Sequence, residues 1–327
     1  MEAKMELVAI PVSKSNGGYI FPDKTERYAI KKQKFDAGKP YVEITEFPQN
    51  EAIRIVMQGE LFQQIVEANR MLVDEMVMTF TPAGLNIRVV DPSNVAMMMT
   101  SIAREEFVEY SLGHRYFKIA FDVQKLRELK ISKKTGLISL IVDKTEVKSD
   151  MKSEMVDVQG MGKCNYRSLQ YFADAVTLSY GNITHKLATL PYDSIRLPKI
   201  PELKTNNYVI VPLKEVRDIT NSALKVSDAV KFTLTNAGLE ILCKNETEEK
   251  KVMIGNDQIK DKKCLTEKVV SLYPADYLAK ICTAVKNTEN VKISFNDEYP
   301  MEIEFLNTKI VNSEINIRYL LAPRMEY

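Results

Sequence analysis

The short string GMGK, residues 160–163, has the small residues and the lysine of a phosphate-binding loop. In such a loop the backbone N–H groups surround a phosphate, and a hydroxyl residue after the lysine binds Mg²⁺. The pattern needs a glycine five positions before Gly162 and a Ser or Thr after Lys163. This chain has Asp157 and Cys164 at those positions. The match is poor, and we expect no nucleotide site there.

The other reactive side chains are isolated from one another. The two histidines, His114 and His185, have no nucleophile signature nearby. The four cysteines show no metal-ligand spacing, which favours reduced thiols in an intracellular protein: Cys164, Cys243, Cys264 and Cys282. No paired-carboxylate, zinc or catalytic-triad pattern stands out. The sequence therefore favours a binding protein over an enzyme and predicts no metal and no cofactor.

The bulk composition is that of a globular protein. The 327 residues are 45% apolar and 27% charged, which fits one large or two ordinary domains. No stretch approaches the roughly 18–20 uninterrupted apolar residues of a membrane span, and the N-terminal residues do not resemble a secretory signal. The net charge of +1, from 45 basic and 44 acidic residues, neither requires nor excludes a nucleic-acid partner.

An internal repeat is the most informative pattern. The segment MTFTPAGLNI (78–87) matches FTLTNAGLEI (232–241), with Gly84 aligned to Gly238 at a lag of 154 residues. Each segment reads as a hairpin in which the glycine permits a positive φ. The surrounding elements recur in the same order, as helices at 59–75 and 212–228, second helices at 121–132 and 273–285, and strands at 136–142 and 290–306. This order predicts an α+β fold of two similar domains, with antiparallel sheets covered on one face by two helices each.

The repeat also suggests domain boundaries. Residues 53–189 and 208–327 would form the two domains, and residues 190–207, with three prolines, would be an extended connector between them. Residues 1–52 precede the first copy as an N-terminal extension, and the sequence does not indicate their role.

On these residues, the chain resembles the sliding clamps of the proliferating cell nuclear antigen type over roughly residues 53–327. The motifs that carry the resemblance are QGELFQQIVEANRMLVDE, GLNIRVVDPSNVAMM, LPKIPEL and YLLAPRME, in the order of the family. The resemblance implies a ring of three chains, closed head to tail around double-stranded DNA, with helices lining the hole and sheets outside. It implies no catalysis, and a function in tethering a DNA polymerase and other replication and repair enzymes after a clamp loader opens the ring.

The resemblance implies that cations on the helices face DNA without reading its sequence. The candidate DNA-binding residues are Arg70, Lys125, Arg127, Lys130, Lys133, Lys134, Lys214, Arg217, Asn221, Lys280 and Lys286. In the second copy, Lys214, Arg217, Asn221 and Lys225 recur with helical spacing opposite the apolar stripe. The first helix departs from the family, since Gln63 and Gln64 stand where lysines are common. Ordinary solvated helix faces would show similar charges.

The resemblance also implies a hydrophobic groove that binds the PIP box, a partner peptide with one glutamine and two aromatic residues on a helical turn. The groove residues carried over by position are Val90, Asn94, Val95, Met97, Ile200, Pro201, Pro300, Leu320, Leu321, Ala322 and Pro323. Leu320 and Asn94 replace an aromatic residue and a histidine that are frequent in the family. Because neighbouring strand residues face opposite sides, one of Leu320 and Leu321 must belong to the core.

Ring closure in the family pairs two edge strands, which correspond here to THKLATL (184–190) and EKKVMIG (249–255).

An alternative keeps the fold without the ring, as a monomeric or dimeric viral-type processivity factor that holds DNA on a basic face. In that case residues 1–52 or the enlarged segment around 143–182 would block or remodel the subunit edge. A hydrolase on the same fold would need a pocket with perturbed acids or bases. The clamp hypothesis places the protein with replicating DNA, in the cytoplasm of an archaeon, a nucleus or a viral replication site.

Overall fold

The computed structural model describes residues 52–112, 116–158, 162–201, 203–285, 287–310 and 313–324, with only the backbone at 133, 149–158 and 162–170. Before residue 52 it describes the backbone of four short strands, β1 (Ser13–Ser15), β2 (Gly18–Ile20), β3 (Ile30–Asp36) and β4 (Lys39–Ile44). These pair as two antiparallel hairpins, β1 with β2 and β3 with β4.

The first repeat follows the order predicted from the sequence. Its elements are β5 (Ile53–Gln58), α1 (Gly59–Asn69), β6 (Glu75–Thr81), β7 (Gly84–Val90), β8 (Ala96–Ala103), β9 (Glu109–Ser111), β10 (Phe117–Asp122), α2 (Val123–Glu128), β11 (Leu137–Val142), β12 (Lys148–Val158), β13 (Gly162–Phe172), β14 (Ala175–Tyr180) and β15 (Ile183–Ala188).

The second repeat has the same plan. Its elements are β16 (Tyr208–Pro212), α3 (Leu213–Ala223), β17 (Ala229–Thr235), β18 (Gly238–Lys244), β19 (Glu249–Gly255), β20 (Asp261–Lys263), β21 (Lys268–Pro274), α4 (Ala275–Ala284), β22 (Asn290–Ser294), β23 (Met301–Leu306), β24 (Lys309–Ile310), β25 (Ser313–Glu314) and β26 (Asn316–Leu321).

The helices are shorter than the apolar periodicity predicts. Helix α1 ends at Asn69, whose carbonyl accepts from the amides of Leu72 and Val73 as the chain turns toward β6. Helix α2 begins after Asp122, whose carboxylate accepts from two first-turn amides, and a turn with Lys130 at a φ of +52° follows its end. The apolar periodicity predicted longer helices because apolar residues also follow α1 and flank α2, where they belong to turns and strands.

Three main sheets carry the fold. The largest has eleven strands in the order β12-β13-β10-β6-β7-β8-β26-β23-β22-β16-β20, and it crosses from the first repeat to the second where β8 pairs with β26. A five-stranded sheet, β15-β14-β11-β5-β9, belongs to the first repeat, and a four-stranded sheet, β19-β18-β17-β21, to the second. The expected antiparallel pairing holds except between β10 and β13, which run parallel.

The helices lie side by side against the core. Helix α1 contacts both α2 and α4, and α4 contacts α3, which gives the order α2-α1-α4-α3. Two side chains join this layer across the repeats. The amide of Gln64 on α1 donates to the carbonyl oxygen of Ala284 on α4 at 2.8 Å, and the hydroxyl of Tyr319 donates to the carbonyl of Ala68 at 3.4 Å. We call this four-helix surface the helix layer.

The two aligned glycines of the repeat occupy equivalent positions. Gly84 and Gly238 each begin the second strand of their hairpin, with φ of +135° and +149°. A Cβ added to Gly84 would lie 2.1 Å from the carbonyl oxygen of Ile102, and one added to Gly238 would lie 2.3 Å from that of Ile254. The predicted need for positive φ is confirmed, and close approach of the neighbouring strand adds a second reason for glycine.

Replacing either glycine by alanine should therefore destabilise its own repeat. We expect Gly84→Ala and Gly238→Ala each to lower the free energy of unfolding by about 2–4 kcal/mol, from backbone strain plus the displaced strand. Gly136→Ala is the matched control, because Gly136 has a positive φ of 71° but nothing within 4 Å of the added Cβ. It should cost about 1 kcal/mol in urea-induced unfolding. Equal losses for all three variants would contradict the role of strand contact.

Candidate functional site

Most of the predicted DNA-binding cations are exposed on the helix layer. The exposed candidates are Arg70 just after α1, Lys125, Arg127, Lys130 and Lys134 on or after α2, Lys214 and Asn221 on α3, and Lys280 on α4. Lys225, which follows α3, is also exposed. The side chain of Lys133 and all of Lys286 lie outside the described residues. The predicted stripe on α3 thus retains three exposed members, Lys214, Asn221 and Lys225.

Arg217 differs from the other candidates because its guanidinium is already used. Its Nε donates to the carbonyl oxygen of Cys282 at 2.9 Å, and its Nη2 donates to that of Val285 at 3.1 Å. These carbonyls lie at the C-terminal end of α4, where unpaired carbonyls and the helix dipole favour a cation. Arg217 is half-buried and holds α3 against α4. Helical spacing predicted that Arg217 faces DNA, but spacing alone cannot distinguish a cation that faces solvent from one that binds a neighbouring helix.

The surface of α1 is acidic. Its partly exposed residues are Glu60, Gln63 and Glu67, and the Nε of Arg70 lies 2.5 Å from a carboxylate oxygen of Glu67. Gln64, expected beside Gln63 on the DNA-facing side, is buried at 5% exposure because its amide bridges to α4. Among the described residues of α1 and its C-terminal end, the one cation is Arg70, and it is already paired with Glu67. The surface of α1 is therefore the part of the helix layer least favourable for binding phosphate.

The cations instead flank α1 in two groups. On one side, Arg127 and Lys130 of α2 border a cleft of about 260 Å³ whose opposite wall includes Gln63 and Glu67 of α1. On the other side, Lys214 lies on α3 and Lys280 on α4. The ammonium of Lys280 is 5.3 Å from the centre of the Tyr277 ring and 3.5 Å from a carboxylate oxygen of Asp276. That ion pair is exposed and weak, which leaves Lys280 available to a phosphate.

Three of the predicted groove residues form one row across the large sheet. Strand register places Val90 opposite Met97 and Met97 opposite Leu320, so their side chains share one face. Leu320 is 7% exposed and lies outside the main core, whereas Leu321 is fully buried within it. Leu321 therefore supports the core, and Leu320 belongs to the opposite, outer face. We call Val90, Met97 and Leu320 the groove row.

A buried aspartate shapes the loop beside this row. One oxygen of Asp91 accepts from the amides of Val95 and Ala96 at 2.7 and 2.6 Å, and the other accepts from the amide of Ser93 at 2.9 Å. The loop turns through Asn94, which has a φ of +56° and is exposed. The chain after β26 is hydrogen-bonded to this loop, since the amide of Ala322 donates to the carbonyl of Val95 at 2.8 Å.

Asp91 also connects the loop to the helix layer. The hydroxyl of Tyr277 on α4 donates to the second oxygen of Asp91 at 2.7 Å. Burial, reinforced by this hydrogen bond, raises the pKa of Tyr277 to about 12. One carboxylate thus fixes a loop of the first repeat to a helix of the second. Sequence reasoning predicted a role for neither Asp91 nor Tyr277, although an aspartate before Pro-Ser-Asn is a recognisable loop signal.

The connector lies on the same outer face as the groove row. Tyr192 packs against Val77 and Ala120, which point away from the main core, and its ring centre is 5.0 Å from that of Phe172. Further along, the carbonyl of Lys204 accepts from the side-chain amide of Asn296 at 3.0 Å. Between these anchors, the predicted groove residues Ile200 and Pro201 are exposed, and Ile200 is 39% exposed. Pro300 and Pro323 are partly buried.

Both strands predicted to close a ring are edge strands. Strand β15 ends the five-stranded sheet and β19 ends the four-stranded sheet. Each exposes one large apolar residue, Ile183 at 48% and Met253 at 49%. The enlarged segment forms the β12–β13 hairpin, which extends the far end of the eleven-stranded sheet and leaves β15 at its own edge.

Comparison with known proteins agrees with this architecture. A family profile described as the N-terminal domain of proliferating cell nuclear antigen matches residues 53–161, and one described as its C-terminal domain matches residues 199–324. The chain belongs to the proliferating cell nuclear antigen family. The DNA polymerase sliding clamp of Thermoplasma volcanium is 26% identical over 275 residues, covering 84% of this chain and 99% of that protein. The clamp of Methanosarcina barkeri is 26% identical over 274 residues, covering 84% and 98%.

Solved structures of the family have the same fold. The complex of the C-terminal region of FEN-1 with A. fulgidus PCNA gives a TM-score of 0.69 at 25% identity, covering 84% of this chain and 99% of that one. The antigen of Entamoeba histolytica gives 0.65 at 18% identity, covering 84% and 99%, which supports the fold alone. The predicted α+β fold of two clamp-type domains is confirmed, and so is the family.

Few groups in the described part of the chain have the properties of a reactive centre. The Cys282 thiol is fully buried, and burial raises its pKa to about 12, so it stays protonated at neutral pH. Within the described ranges, no cluster of three His, Cys, Asp or Glu side chains could hold a metal ion. Those ranges also contain no helix with the length and apolarity to cross a bilayer.

The Asp91–Tyr277 contact can be tested by single substitutions. Asp91→Asn places an NH₂ group against backbone donors and should cost about 2–4 kcal/mol of unfolding free energy, while Tyr277→Phe should cost about 1–2 kcal/mol. Tyr208→Phe is the matched control, because its hydroxyl donates at 2.8 Å to an exposed carboxylate of Asp261. It should cost less than about 0.5 kcal/mol.

The pH dependence supplies a second check. A raised pKa means that folding favours the protonated hydroxyl, so the contribution is complete below the ordinary pKa of 10.0 and is lost as pH rises through about 12. The gap in unfolding free energy between the wild type and Tyr277→Phe should be constant up to about pH 10 and then narrow. A gap that is unchanged at pH 12 would show that the hydroxyl does not make this contact.

Proposed function

We propose that this chain is a DNA polymerase sliding clamp that forms a homotrimeric ring around duplex DNA and has no catalytic activity. The observation that carries the proposal is that the helix layer and the eleven-stranded sheet both extend across the two repeats. Helices with exposed lysines lie on one side, an apolar row lies on the other, and an unpaired strand edge is present in each repeat. Membership of the family, whose named relatives are DNA polymerase sliding clamps, supports the same assignment.

The proposed clamp domains are residues 53–189 and 208–327, joined by the connector 190–207. The ring would close by antiparallel addition of β15 of one subunit to β19 of the next, which supplies backbone hydrogen bonds. A loader would open this contact, and the protein would act where DNA is replicated. The alternative of a non-ring processivity factor is not favoured, because the named relatives are sliding clamps and the β12–β13 hairpin of the enlarged segment extends another sheet.

Molar mass tests ring formation. Light scattering should give about 112 kDa, three times the chain mass of 37.3 kDa, and the ring should be retained on closed circular plasmid but slide off linear DNA. Met253→Asp on β19 places a charge in the proposed contact and should give the 37.3 kDa monomer. Leu265→Asp is the control, since Leu265 is 61% exposed but lies outside both edge strands. A wild type of 37.3 kDa would refute the ring.

The DNA surface is proposed to be the two flanking groups of cations on the helix layer. Replacing Lys214 and Lys280 by alanine should weaken duplex binding several-fold in 0.1 M salt and reduce the slope of log K against log salt by about 1–2. Glu67→Gln should have the opposite effect, because it frees Arg70 from its ion pair. The control is Lys268→Ala, which removes an exposed lysine at the start of β21. Identical affinities for all variants in fluorescence anisotropy would place the DNA elsewhere.

The partner site is proposed to be the groove row with Val95, the loop at Asn94, the connector at Ile200 and Pro201, Pro300, and the chain at Ala322 and Pro323. FEN-1 is a partner of the related A. fulgidus protein, and polymerase and FEN-1-like partners are expected here. Leu320→Glu or Ile200→Glu should weaken PIP-box peptide binding more than tenfold while the trimer mass is retained. Leu137→Glu, at a residue 44% exposed on β11, should bind normally. Normal binding by both groove variants would exclude this site.

A further inference from the structure

The row beside the groove row carries two exposed arginines. Register places Arg88 opposite Met99 and Met99 opposite Arg318, on the same outer face as the groove row. Each of the three lies two residues along its strand from its counterpart in the groove row, a distance of about 6.5 Å. A peptide seated on the groove row therefore passes within one side-chain length of both guanidinium groups. We call Arg88, Met99 and Arg318 the arginine row.

These arginines are not neutralised equally. Nη1 of Arg318 lies 3.3 Å from a carboxylate oxygen of Glu302, in an exposed pair. The next carboxylate on this face, that of Glu304, pairs with Lys292 at 3.7 Å. Arg88 has no ion pair among the described residues. The two carboxylates nearest Arg318 on this face are thus already paired, and the guanidinium of Arg88 adds positive charge beside the groove.

The connector adds further cations to the border of the groove. Residues 190–207 contain Arg196, Lys199 and Lys204 against Asp193 and Glu202. The three cations are exposed and, within the described residues, form no ion pair. The connector starts over β6 and β10 and reaches the β22–β23 turn, where Asn296 binds it. The groove row is therefore bordered by the connector at that turn, where Lys204 lies, and by the arginine row on its other side.

We propose that the groove selects partner peptides that carry acidic residues next to their apolar anchor, and that Arg88 and Arg318 bind those carboxylates. The inference rests on the proposed partner groove and specifies the chemistry of its ligand. Arginine suits this role because its planar guanidinium binds carboxylates in a bidentate geometry. A peptide is favoured over a nucleic-acid strand because the adjacent groove row offers apolar contact, which a phosphodiester backbone does not use.

Peptide binding to the assembled full-length protein tests the inference. Three fluorescent peptides would share one anchor sequence, with a glutamine and two aromatics, and differ only in flanks of Asp/Glu, Ser/Gly or Lys. In 0.1 M NaCl we expect the acidic flanks to bind about three- to tenfold tighter than neutral flanks and the basic flanks to bind weaker, with the differences shrinking at 0.5 M.

Variants assign the effect to the arginine row. Arg88→Gln should reduce the acidic preference, and Arg88→Glu combined with Arg318→Glu should reverse it in favour of the basic peptide. Binding of the neutral peptide should stay within about twofold, since the apolar contacts are unchanged. Lys144→Gln, an exposed lysine in the turn after β11, should behave as wild type. Reversal of preference in the double variant is a result that mere loss of folding cannot produce.

The possible failures are distinguishable. If the neutral peptide binds and flank charge has no effect, the inference is wrong while the groove stands. If no peptide binds, the groove and the inference both fail. If a single-stranded oligonucleotide displaces the acidic peptide and Arg88→Glu abolishes oligonucleotide binding, the arginine row is a nucleic-acid site and the inference is also wrong.

Discussion

The pairing of β8 with β26 is the interaction on which the rest of this structure depends. It is the only described contact that makes one sheet out of two repeats, and six residues of each strand take part in it. Its register places Tyr319 and Leu321 in the core and Leu320 on the outer face. A slip of one residue would exchange these faces, exposing core residues and burying Arg318. Core, groove row and arginine row are therefore specified together.

Polar contacts then hold α4 to the other helices and to a loop of this sheet. Gln64 and Arg217 bind carbonyls at or just past the C-terminal end of α4, and Asp91 binds a hydroxyl near its start. Carbonyls at a helix end require partners, and here side chains of α1 and α3 supply them. The position of α4, and of Lys280 upon it, is thus determined by residues far away in the chain. The cations left for phosphate are lysines and arginines that take no part in this framework.

Sequence patterns predicted the architecture well because they depend on local rules. The repeat at Gly84 and Gly238 and the order of elements follow from periodicity and turn chemistry, whereas the two edge strands were implied by the family resemblance. The sites were harder, since spacing alone cannot tell which polar side chain on a helix meets a neighbour. Arg217 and Gln64 have the periodicity of surface residues, yet both are used between helices. Alternation predicted that one of Leu320 and Leu321 faces inward, and only the strand partners decide that it is Leu321.

The central place of β26 has a consequence for biosynthesis. Strands β7 and β8 are made before the second repeat, but the strand that covers the open edge of β8 is made after all the other strands of that repeat. Until then, the first repeat has an unsatisfied row of backbone groups and an incomplete core beside it. Contacts between residues so distant in sequence slow folding. The order of synthesis therefore leaves the edge of β8 open to pairing with another molecule until residues 316–321 have been made.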